Sequence, residues 1–96
     1  MANETLRGNI LEFLLKVYPH MVLELDVIKV FYHYHRDKDI RQALAFLVDS
    51  VYVEKIEKPH PVRRFEMQAF YKLTRDGVLI ADGTKRDDAV MIEGGE

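Results

Sequence analysis

The sequence has no cysteine. That excludes a disulfide framework, a zinc ribbon and thiol chemistry together, and it suits a reducing compartment, so the cytoplasm is the expected location. Also missing is any apolar run of the roughly 18 residues that a membrane-spanning helix needs. The start, Met1-Ala2-Asn3-Glu4, does not have the basic then apolar layout of a signal peptide. Neither export nor membrane anchoring is expected. There is no charge excess: 14 Lys and Arg stand against 16 Asp and Glu, a formal net charge of −2. A polybasic membrane binder or a nucleic-acid coat protein has a different balance, so any contact with DNA must come from a local patch. No internal repeat, Gly-rich phosphate loop, nucleophile elbow or metalloprotease motif occurs. His33 and His35 are two residues apart and point to different sides of a helix, which does not make a metal pair; His20 falls in a turn, and Asp87-Asp88 in a polar tail. The expectation is a binding protein without catalysis, metal or cofactor.

What is present suffices for one core. Hydrophobic residues make up 48% of 96 positions, a length that accommodates a single domain. Asn3 can cap a first helix from Glu4 to Tyr18, stopped by Pro19, in which Leu6, Ile10, Phe13, Leu14 and Val17 recur at helical spacing. Leu11, Leu15 and Tyr18 form a second apolar stripe beside the first, making the arc wider than one core face needs. The expectation is a homodimer through Leu11, Leu15 and Tyr18; the alternative is that a closing helix carrying Val78, Leu79 and Ile80 covers them. Met21 to Leu23 reads as a short extended piece and Glu24 to Tyr34 as a second, largely buried helix. Asp37 reads as the N-cap of a third helix running to Ser50, with Ile40, Ala43, Leu44, Leu47 and Val48 on its inner side. Only about three residues then separate the second and third helices, the connection of a helix-turn-helix.

The period changes at Val51. Val51 to Lys58 and Arg63 to Leu73 are rich in β-branched and aromatic residues, and Pro59-His60-Pro61-Val62 between them reads as a proline-stiffened hairpin tip. Phe65, Met67, Ala69, Tyr71 and Leu73 form the expected inner face of the second strand, and Ile56 falls out of phase with Val51 and Val53, as in a bulged or two-sided first strand. Thr74 can cap a last short helix ending at Gly83, with Gly77 allowing close approach to the sheet. The domain thus spans residues 1–83, and residues 84–96 read as a disordered polar tail.

The stretch Phe70-Tyr71-Lys72-Leu73-Thr74-Arg75-Asp76-Gly77 resembles the YYxLTxxG junction of small bacterial winged-helix regulators of the MarR and PadR kind, and the resemblance covers roughly Glu4 to Gly83. It implies an α+β winged helix-turn-helix, with a three-helix core, a C-terminal β-hairpin wing and a short closing helix. It also implies binding of double-stranded DNA, as in a small transcriptional regulator, with the third helix in the major groove and the hairpin tip on phosphates or the minor groove. Carried over by position, Arg41 and Gln42 would read base edges, Arg36 and Lys38 would grip phosphate, and Lys55, Lys58, His60, Arg63 and Arg64 would form a basic wing. The chain departs from both families in having no long closing helix for dimerisation. From Arg36 to Arg64 there are seven basic and five acidic residues, so one copy is expected to bind weakly and to gain from a second. Phe46, outward on the third helix, is expected to tuck under the hairpin. The alternative is a winged-helix module that binds protein. A neutral third-helix surface would favour that reading, and a positive stripe joining Arg41 to Arg63 and Arg64 would favour DNA.

Overall fold

In the computed structural model, which describes residues 2–93, the elements follow as α1 (Ala2–Val17), β1 (Val22–Leu23), α2 (Glu24–Phe31), α3 (Asp37–Asp49), β2 (Val53–Pro59), β3 (Met67–Leu73) and α4 (Arg75–Ala81). The sheet is antiparallel in the order β1-β3-β2, with Val22 opposite Tyr71, Leu23 opposite Phe70, and an uninterrupted β2–β3 ladder from Val53–Leu73 to Pro59–Met67. Helices first, then a hairpin, with a short early strand completing the sheet, is the topology of a winged helix. No bulge interrupts the ladder, so the two-sided strand is the form adopted: Val53 is buried and Ile56 half-buried on opposite faces.

The core lies where α1, α3 and α4 meet the sheet. Leu6, Ile10 and Leu14 of α1, Val27 and Ile28 of α2, Ile40, Leu44 and Leu47 of α3, Val53, Tyr71 and Leu73 of the hairpin, and Ile80 of α4 form one buried cluster. The helical stripes at spacings of three and four put these residues on one side of each helix, and their burial is the main favourable contribution to folding. Phe13 and Phe31 join α1 to α2 edge to face, with ring centroids 6.1 Å apart.

The closing junction follows from local chemistry. The Thr74 hydroxyl accepts from the Gly77 amide at 3.0 Å, capping α4, and donates to the Val51 carbonyl at 2.6 Å. A Cβ on Gly77 would lie 1.9 Å from the Tyr52 carbonyl oxygen, so glycine is what brings α4 onto the loop before β2. Gly83, at φ 85°, ends the helix.

Four expectations are corrected. α2 ends at Phe31 rather than Tyr34, and it is not largely buried: Leu25 and Val30 on it, and Tyr32 and Tyr34 beyond it, are exposed. The amides of Tyr34 and His35 both donate to the Phe31 carbonyl, which closes the helix in a turn. Asp37 is the first residue of α3, not its N-cap; Arg36 holds that position without a side-chain bond. Residues 84–93 are placed, not a disordered tail, whereas 94–96 lie outside the described residues. This segment straps across α1: the Met91 amide donates to the Glu4 carbonyl at 3.0 Å, Arg7 donates to the Ala89 carbonyl at 3.1 Å, the Tyr52 hydroxyl donates to Asp87 at 2.5 Å, and Val90 is buried. Finally, Leu11 is not a surface residue. With α3, α4 and the strap all packed around α1, it is 0% exposed in a single chain and Leu15 packs against the core, leaving only Tyr18 of the proposed dimer stripe exposed.

Candidate nucleic-acid interface

The wing is a rigid loop on a long hairpin. The ladder stops at Pro59–Met67, so residues 60–66 form the tip. Pro59 and Pro61 fix φ on either side of His60 and donate no hydrogen bonds. The turn is instead held by His60: its Nδ1 accepts from the amides of Val62 and Arg63, both at 3.0 Å, while its own amide donates to the Glu66 carbonyl at 2.8 Å. The Glu66 amide donates to the Arg63 carbonyl at 2.9 Å. His60 is therefore a staple of the wing through its Nδ1.

The staple presents Val62, Arg63, Arg64 and Phe65 to solvent. Arg63 forms an ion pair with Glu66 at 3.5 Å, whereas Arg64 has no ion-pair partner among the described residues. Lys55 lies 3.9 Å from Glu57, and the Lys58 ammonium stands 6.0 Å from the Phe70 ring centroid. The expected inner face of β3 holds for Tyr71 and Leu73 and fails at Met67 and Phe65, which project past the core and are exposed. Phe65 was not among the expected interface residues; its position straight after Arg63-Arg64 in a tip that opens on two prolines is the signal that would have found it.

The third helix is different. Its exposed side carries Lys38, Arg41, Gln42, Ala45 and Asp49. Arg41 is held by two carboxylates, with Nε 2.5 Å from Asp37 and Nη1 2.9 Å from Glu24 of α2, and Glu24 also accepts from the Tyr71 hydroxyl at 2.8 Å. This chain of contacts links α3, α2 and β3. The bond to Asp37 pushes the guanidinium further into its charged range, and burial, then the bond to Glu24, raises the Tyr71 hydroxyl. Arg41 is thus a structural tie, and its charge is met within the chain. Arg36, Lys38 and Gln42 remain exposed and form no ion pair among the described residues. Between this helix and the hairpin runs a groove lined by Arg41, Ala45, Asp49 and Lys55, two cations against one carboxylate, with Glu24 adding a second. Among these lining residues the charges balance between Arg41 and the base of the wing. Phe46 packs against the core, with the Arg7 guanidinium 3.7 Å from its ring centroid.

No group of three His, Cys, Asp or Glu residues that could hold a metal occurs among the described residues, and no helix there is long and apolar enough to cross a membrane. No family model, curated protein or solved structure matches this chain. The winged-helix assignment therefore rests on topology and on the Thr74–Gly77 junction.

Proposed function

We propose that the protein is a DNA-binding module, a small cytoplasmic regulator without catalysis of its own, that engages double-stranded DNA chiefly through its wing. The observation that carries this reading is the stapled tip, which holds Arg63 and Arg64 in solvent where neither has a role in the core. Such cations supply phosphate contacts, and Lys38 and Gln42 extend the contact along α3. Selection from random duplex DNA, followed by salt titration of the enriched sequence, tests it. Enrichment with an affinity that falls as salt rises is expected; failure to retain any duplex at low salt would remove the reading.

A second reading, a protein-binding winged helix, is favoured by one observation: the outward side of α3 is close to neutral, because Asp37 and Glu24 answer Arg41. On that reading the selection yields nothing, and Ala45→Arg on α3 weakens capture of a protein partner.

A further inference from the structure

Phe65 is fully exposed, at the end of a loop stiffened by two prolines and stapled by His60. A phenyl ring there adds nothing to folding, since it touches no core residue, and it raises the cost of keeping the protein in water. It also sits beside Arg63 and Arg64, the latter without an ion-pair partner among the described residues. An aromatic face next to cations on a rigid projection is the chemistry that stacks on a nucleobase while the neighbouring charges hold phosphate.

We propose that Phe65 is a stacking wedge, and that the wing therefore prefers DNA whose base stack is already interrupted, at a fork or mismatch, over a fully paired duplex. This rests on the reading of the wing as the DNA-contacting element. Charge decides between the two kinds of DNA. From Val53 to Met67 there are four cations against three carboxylates, and Lys55 and Arg63 already have acidic neighbours. So small a surplus cannot offset the opening of an intact base step, as strongly cationic minor-groove proteins do. At a fork or mismatch that step is open beforehand, and stacking becomes a net gain.

The chain has no tryptophan, so Phe65→Trp introduces a single indole whose emission reports stacking directly. Binding of the full chain is measured by anisotropy on a labelled forked duplex and on the same sequence closed as a hairpin duplex. The fork is expected to bind more tightly by roughly fivefold to a hundredfold, the range of one base–aromatic stack. Phe65→Ala should lose that preference and bind fork and closed duplex alike, and the indole introduced by Phe65→Trp should be quenched at saturation with the fork. Equal affinities for fork and closed duplex, or an unchanged indole on DNA that anisotropy shows to be bound, would overturn the wedge and leave duplex binding standing. Absence of anisotropy change with either DNA would remove both. Quenching or a blue shift with phosphatidylserine vesicles, but not with DNA, would reassign the tip to a lipid surface and overturn the proposal.

Discussion

Five residues around the α4 junction and the strap set conditions that can be measured one at a time. Val51 has φ 66°, a region where a β-branched side chain is strained, and it is largely exposed, so little packing compensates. Val51→Gly is expected to raise stability by up to about 1 kcal/mol, read as a higher urea midpoint; a lower midpoint would mean that the strain is not there. Gly77→Ala meets the backbone of Tyr52, whose carbonyl also accepts from the Thr74 amide at 3.1 Å and cannot swing away. A loss of about 3 kcal/mol or more is expected from the same unfolding curve. Gly8→Ala also meets backbone, 1.6 Å from the Met91 carbonyl oxygen, but there the obstacle is the strap. Hydrogen-exchange protection of the Met91 amide should be lost, and stability should fall with it because Val90 leaves the core cluster. The strap should also answer to pH. The Tyr52 hydroxyl, then the Ala89 amide, hold the Asp87 carboxyl below its ordinary value, so this contribution is full above that value and lost as pH falls through the lowered one. The same bond pushes Tyr52 up to about 12, so its contribution is full below the usual tyrosine value and lost as pH rises towards 12. The Ala89 methyl resonance should therefore move at both extremes, and Tyr52→Phe should abolish the alkaline transition.

At the scale of elements, the wing and the third helix carry opposite expectations. Arg64, with no ion-pair partner among the described residues, should contribute more to DNA affinity than Arg63, which Glu66 partly neutralises. Arg64→Ala should weaken binding more than Arg63→Ala, Glu66→Gln should strengthen it, and each arginine removed should lower the salt slope by about 0.9. Equal, unchanged affinities in all three variants would take the wing out of the interface. On α3, Arg41→Ala should leave base preference untouched and cost less than about 1 kcal/mol of stability, as exposed ion pairs usually do. Gln42→Ala should change preference at a base pair or two in the selected site. The same contrast explains what could be read beforehand. The Thr74–Gly77 cap was legible because its two groups are three residues apart, whereas the bond from Thr74 to Val51, 23 residues away, was not. Arg41 looked like a base reader because Glu24 is 17 residues away, and only the α2–α3 packing brings them together. Phe65 looked like core because alternation was extended beyond Met67, where the ladder to Pro59 ends. The second helix was read too long because Tyr32 and Tyr34 continue the apolar pattern of residues that do enter the core.

For the whole molecule, the wide apolar arc of α1 is closed by the chain itself. Leu11→Glu should therefore unfold the protein at any concentration rather than convert a dimer to monomers, a difference that circular dichroism and sedimentation resolve together. The apolar run Val90-Met91-Ile92 after a polar stretch was the available sign that the tail returns to the core; its charged neighbours concealed it. The near balance of charge bears on assembly too. β2 is an edge strand, and Glu54, Lys55, Glu57 and Lys58 along it are exposed. A seven-residue strand with open backbone groups is a template on which further strands can stack into fibrils, and alternating charges guard that edge. A copy stacking parallel and in register would set each of these four charges beside its own kind, which opposes growth of that cross-β arrangement from the edge.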